Sequence, residues 1–142
     1  MGAWVSVART QGDLTAGTGG GDVADGLPTL RRESRGDPVK GLQNALSIRG
    51  YSPGPIDGVF GGGTEEAVKY FQRDNALTDD GIVGARTWGA LRVHPVQRGD
   101  TLSGIAQDYF GDGNRWPEIF DLNRGLISDP DRIAPGQVLV LP

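Results

Sequence analysis

No cysteine occurs among the 142 residues, which excludes disulfides, thiolate metal sites and a cysteine nucleophile. Histidine occurs once, as His94. A single imidazole rules out multi-histidine metal centres of the zinc-peptidase kind and leaves one candidate for any histidine-dependent triad. No apolar run approaches the ~18 residues of a membrane span, so no membrane is expected as a partner. The amino-terminal Met1-Gly2-Ala3-Trp4-Val5-Ser6-Val7-Ala8 lacks a basic n-region, and its apolar run is short for a signal peptide.

An excess of positive charge is missing too. Residues 27–93 hold nine bases against eight acids, residues 94–142 hold four against seven, and the whole chain carries −4. Binding to a phosphate backbone needs a clustered basic face, so nucleic acid is not expected as a partner.

What the chain has in quantity is glycine: 24 of 142, about 17% against a usual share of roughly 7%. With 9 prolines, this favours short elements joined by many turns rather than one large core. The length fits one domain or two very small ones. Three segments are expected: a Gly-rich arm or linker over 1–29, a helical unit over 30–93, and a mixed unit over 94–142. In the arm, Trp4, Val5 and Val7 could form a short strand; residues 9–27 have linker composition.

A repeat governs the second segment. Asp57-Gly58-Val59-Phe60-Gly61-Gly62-Gly63-Thr64 aligns without gaps to Asp80-Gly81-Ile82-Val83-Gly84-Ala85-Arg86-Thr87. Each Asp-Gly reads as a tight turn, two apolar residues then plug a core, and a glycine or threonine near the next helix start supplies a cap. Asp57 and Asp80 are therefore turn formers rather than a catalytic carboxylate pair. Asp37-Pro38 is expected as an N-cap with proline at the first helical position, and Val39, Leu42, Ala45 and Leu46 as one apolar face ended by Gly50. A second helix follows Thr64, and a third runs from Ala85 to Leu91 with Trp88 and Leu91 inward. Phe60 and Trp88 are expected in the core, and Tyr51 as the exposed aromatic.

The last segment reads β-α-α-β. A strand over 92–96 is followed by the turn Gly99-Asp100-Thr101. Leu102, Ile105, Ala106, Tyr109 and Phe110 then line one side of a helix that stops at Gly111. Trp116-Pro117 opens another helix, with Trp116 expected to pack rather than to bind. Val138-Leu139-Val140-Leu141 is the closing strand. His94, beside Pro95, is expected as a solvated linker residue between the two units.

Leu30-Arg31-Arg32-Glu33-Ser34-Arg35-Gly36-Asp37-Pro38-Val39-Lys40-Gly41-Leu42-Gln43, taken with the doubled Asp-Gly motif, resembles the three-helix peptidoglycan-binding domain appended to cell-wall hydrolases. Val96-Gln97-Arg98-Gly99-Asp100-Thr101-Leu102-Ser103-Gly104-Ile105-Ala106, with Asp121-Leu122-Asn123-Arg124 and Pro135-Gly136-Gln137-Val138-Leu139, is similar to the LysM domain. The fold class implied is a pair of small α and α/β modules: a three-helix bundle, then a β-α-α-β LysM domain.

The resemblance implies binding of peptidoglycan or a related N-acetylglucosamine-containing glycan. Carried over residue by residue, the glycan groove would be formed by Gly99, Asp100, Thr101 and Leu102 on one loop, and by Leu126, Ile127, Asp131 and Ile133 on the other. Asp100 and Thr101 also make an obvious helix N-cap. No catalytic residue, cofactor or metal is expected, because the two modules leave only the arm. The expected function is non-catalytic wall binding by two-module avidity across a short junction at Leu91–Pro95. Such a protein would sit in the cell wall or outside the cell if exported.

The stretch from Tyr109 to Ile119 and the loop from Ile127 to Ile133 resemble one LysM branch found in phage tails and contractile-injection baseplates. The alternative is therefore a structural adaptor docking on phage-tail-like proteins, assembled in the cytoplasm. A small-ligand or ion sensor is a third reading, carried by analogy alone.

Overall fold

Among the described residues the strands and α-helices follow one another in the order β1 (Val23–Ala24), β2 (Leu27–Pro28), α1 (Asp37–Ile48), α2 (Gly62–Asp74), α3 (Ala85–Leu91), β3 (Val93–Pro95), α4 (Leu102–Phe110), α5 (Trp116–Leu122) and β4 (Val138–Val140), with a 3-10 turn over Gly113–Arg115 before α5. The computed structural model describes residues 23–24 and 26–142. Trp4, Val5 and Val7, which could form a short strand, lie outside the described residues.

Helices α1 to α3 enclose one core, in which Val39, Leu42, Ala45, Leu46, Phe60, Val68, Val83, Trp88 and Leu91 are buried. That core begins before position 30. Leu27 is buried in it, and Pro28 O accepts a 2.8 Å hydrogen bond from Trp88 Nε1. The indole needs a polar partner once buried, and residues expected in the arm supply it.

Both copies of the repeat pair with one extended segment. Leu30 forms a two-hydrogen-bond bridge with Val83, and Phe60 N donates to Ser34 O at 2.9 Å. Phe60 and Val83, the second apolar residue of each copy, thereby enter the core.

The Asp-Gly turns are as expected: Asp57 Oδ1 accepts from Val59 N, and Asp80 Oδ1 from Ile82 N. The carboxylate of Asp57 is held below its usual range by the Val59 N–H and then by Gln43. The start of α1 differs from expectation. Gly36, not Asp37, is the N-cap of α1, at φ 117°, and its carbonyl accepts from Val39 N and Lys40 N. Asp37 is the first helical residue, and no side chain caps the helix.

At α2 and α3, where a glycine or a threonine was expected at the cap, it is the glycine: the N-caps are Gly61 and Gly84. Each threonine is buried and accepts from a buried glutamine of the preceding helix. Gln43 Nε2 donates to Asp57 Oδ1, Val59 O and Thr64 Oγ1, while its Oε1 accepts from Asp57 N and Gly58 N. Gln72 repeats this with Asp80, Ile82, Thr87 and Gly81 N. One amide side chain thus satisfies the inward-facing polar groups of a whole turn.

In the second unit β3 and β4 pair antiparallel, His94 opposite Leu139. Val96, Leu102, Ile105, Ala106, Ile119, Ile127, Leu139 and Leu141 form its core. Thr101 caps α4 through Oγ1, which accepts from Gly104 N at 3.0 Å, and Gly111 ends the helix at φ 73°. Trp116 packs half-buried against this core, as expected. Tyr109 does not turn inward: it is 49% exposed.

The stretch Leu91–Pro95 is not a linker. It carries β3, and β4 beside it serves two cores at once. Val138 and Val140 belong to the first core, Leu139 and Leu141 to the second. Successive residues of a strand face opposite sides, so this two-stranded ribbon is a wall shared by both units.

Helix α1 lies against it closely enough that a Cβ on Gly41 would fall 2.5 Å from Val138 O. Polar groups close the rest of the seam. Asn44 Nδ2 donates to Leu122 O and Asn123 Oδ1, and Asn123, fully buried, bonds both N and O of Val140. Arg49 Nη2 donates to Leu91 O and Leu141 O, each at 2.9 Å.

Candidate groove and the residues around it

Two loops flank the end of the second core. The first, between β3 and α4, exposes Gly99 at φ 88° and Thr101; Asp100 is half-buried and Leu102 is buried at 3%. The second, between α5 and β4, leaves Leu126 and Ile133 half-buried, exposes Asp131 and buries Ile127 at 4%. Leu102, Leu126, Ile127 and Ile133 belong to one apolar cluster, which draws the two loops together. Leu102 and Ile127 serve that cluster with their side chains, so toward a ligand they present backbone. Leu126 and Ile133 keep apolar surface open, and Asp131 is fixed by the turn in which its N–H donates to Asp129 Oδ1.

Asp100 is tied down on the inner side. Its Oδ2 accepts from Gln97 N at 2.8 Å and lies 2.8 Å from His94 Nε2. Partial burial pushes this carboxyl up, but the bonds from His94 and Gln97 N and the His94 charge outweigh it, and Asp100 is held below its usual value.

His94 is neither solvated nor in a linker. It sits in β3 with its side chain 16% exposed, and its Nδ1 is 2.9 Å from Tyr109 Oη. The two rings meet edge to face at 5.5 Å. The chain Asp100–His94–Tyr109 thus links the groove loop to the outward ring of α4.

Tyr51, expected to be the exposed aromatic, instead packs edge-on to Phe71 and donates to Asp74 Oδ2 at 2.7 Å. Two residues of the site, His94 and Tyr109, were not expected there. They stand 15 residues apart, and no spacing in the sequence pairs them.

This arrangement suits a shallow, neutral, hydroxyl-rich ligand: apolar patches, exposed backbone in a glycine turn, a threonine hydroxyl and an aromatic ring. Among the described residues no group of three or more histidine, aspartate or glutamate side chains is placed to hold a metal ion. No helix among them is long and apolar enough to cross a membrane.

Comparison with known proteins agrees with this organisation. Residues 35–91 match the peptidoglycan binding domain family (PG_binding_1), and residues 94–142 match the LysM domain family. The chain thus carries a peptidoglycan binding module followed by a LysM module.

The potassium binding protein Kbp of Escherichia coli is 39% identical over 67 residues, 47% of this chain and 45% of Kbp. The spore cortex-lytic enzyme of Bacillus subtilis is 48% identical over 59 residues, 41% of this chain and 19% of the enzyme. The chain therefore spans less than half the length of either relative. Among solved structures, the SleB N-terminal domain is 38% identical, with a TM-score of 0.45, and the match covers 48% of this chain and 93% of that one. The two loops of the candidate groove lie within the LysM match, and α1, within the peptidoglycan binding match, packs on β4.

Proposed function

We propose that this protein is a non-catalytic binder of peptidoglycan, whose LysM groove takes an N-acetylglucosamine-containing glycan. Gly99, Asp100, Thr101 and Leu102 would contact it from one loop, and Leu126, Ile127, Asp131 and Ile133 from the other. The observation that carries the reading is the Asp100–His94–Tyr109 chain, which ties the part-exposed Tyr109 to the loop of the exposed Gly99 within the LysM match.

The same chain argues against catalysis. The ring nitrogens of His94 meet a carboxylate and a phenol, and neither a serine nor a cysteine stands at the outer one to serve as nucleophile. Two families fill residues 35–142, and each is a binding module. Avidity between the two modules then works at a fixed spacing, because they share a wall, rather than through a flexible tether.

The test is co-sedimentation with purified insoluble peptidoglycan. The wild-type chain is expected in the pellet, and Tyr109→Leu is expected to bind about three- to tenfold more weakly, the range of one aromatic contact. Wild-type protein left in the supernatant would overturn the reading. The likeness to a potassium binding protein adds one control: exchanging potassium for sodium should leave retention unchanged.

A further inference from the structure

The seam between the modules is not sealed along its whole length. At the amino-terminal end of α1 it opens into a cleft of about 160 Å³ lined by Asp37 and Lys40 of the first module and Leu126, Gln137 and Val138 of the second. Free-standing ligand pockets run to roughly 300 Å³ and more, so this cleft fits a branch of a larger ligand rather than a ligand entire. Its walls are held in place by the contact of Gly41 with Val138 behind it.

The chemistry of the lining is specific. Leu126 and Val138 give an apolar floor. Gln137 spends its Oε1 on Ala134 N, at 2.8 Å, which leaves the NH₂ end of its amide to donate. Lys40 lays its stem over Gly58, and neither Lys40 nor Asp37 has an ion-pair or hydrogen-bond partner among the described residues. One cation and one carboxylate, a helical turn apart on α1, and one amide donor from the residue before β4 therefore line a single small space. Neutral sugars need none of this. A short peptide carrying both a carboxylate and an amine needs all three.

Leu126 also borders the proposed glycan groove, so the cleft lies where a substituent of a bound sugar would reach. We propose that the cleft is a subsite for the peptide branch of a peptide-bearing glycan, with Lys40 and Gln137 receiving a carboxylate or carbonyl and Asp37 an amine. This rests on the reading that the LysM groove holds the sugar. It makes the first module part of the second module's site, and it gives the chain a preference for peptide-substituted over bare glycan.

Calorimetry of the whole chain with three probes tests this: an N-acetylglucosamine-containing disaccharide bearing its stem peptide, the same disaccharide without it, and the free peptide. The peptide-bearing disaccharide is expected to bind about five- to tenfold tighter than the bare one, the scale of one exposed charge-assisted contact. Lys40→Gln and Asp37→Asn are expected to erase that advantage and leave affinity for the bare disaccharide unchanged. Thermal melts of both surface variants should match wild type.

Equal binding of the two disaccharides, or an advantage that survives both substitutions, would overturn the subsite and leave the glycan reading intact. If neither disaccharide binds, the glycan reading falls. Amide NMR shifts induced by free peptide at Asp37, Lys40 and Gln137 would then still support the cleft, and their absence would sink it too.

Discussion

Single side chains settle most of the local structure, and the buried glutamines settle the most. Gln43 makes five hydrogen bonds to one turn and the helix after it. Replacing it with leucine keeps the volume and strands Asp57 N, Gly58 N and Val59 O in or near the core, and leaves the Thr64 hydroxyl only its long bond to Pro53 O. Gln43→Leu should therefore cost about 2–4 kcal/mol, read as a lowered urea midpoint at unchanged slope. A cost under about 0.5 kcal/mol, the usual range of surface changes, would show that water replaces the amide.

The turns these glutamines hold are visible in the sequence, because Asp-Gly recurs in a gapless repeat. The glutamines are not. Gln43 stands 14 residues before its aspartate and Gln72 only 8 before its own, so no fixed spacing joins them to the motif. His94 was hidden for a similar reason: its partners, 6 and 15 residues away, meet it only once β3 and α4 are packed.

Helices and strands were legible wherever the chain marks its own ends. Helix α4 runs from its threonine cap to Gly111, and α3 and α5 span the residues their apolar spacing indicates. The Asp37 cap failed because the Gly36 carbonyl already accepts from Val39 N and Lys40 N, the N–H groups that an Asp37 side chain would have capped.

Helix α1 carries the clearest test at this scale. Alanine in place of a helical glycine normally stabilises by about 1 kcal/mol. Gly89, in α3, has nothing within 4 Å of where a Cβ would sit, and Gly89→Ala should show that gain. At Gly41 the same methyl would lie 2.5 Å from Val138 O and 2.7 Å from Val138 Cβ. Gly41→Ala should instead destabilise by about 1–3 kcal/mol as α1 is forced off β4. Opposite signs in paired urea titrations are the expected result. A gain at both positions would mean that the seam is loose.

At the scale of the molecule, two modules in sequence have become one folded body. Val138-Leu139-Val140-Leu141 is apolar at every position, whereas a strand with a single buried face should alternate with polar residues. The run was legible as a strand, and its unbroken apolarity was the available sign of a second core on its far side.

Burying Val138 and Val140 against α1 is worth about 1.5–3 kcal/mol each, and the bonds of Arg49 and Asn123 across the seam add to that. These are comparable with the whole stability of a small domain, so neither module should open alone. Native-state hydrogen exchange can decide. The slowest amides of α1, around Leu42 and Leu46, and those of α4, around Ile105 and Ala106, should report the same opening free energy and the same denaturant dependence. Two distinct values would make the modules separate cooperative units. Avidity would then need a flexible arrangement that the shared ribbon does not provide. Equal values would also explain why deleting one module is a poor test of binding: the cut exposes the other module's core, whereas Tyr109→Leu and Lys40→Gln leave the shared wall standing.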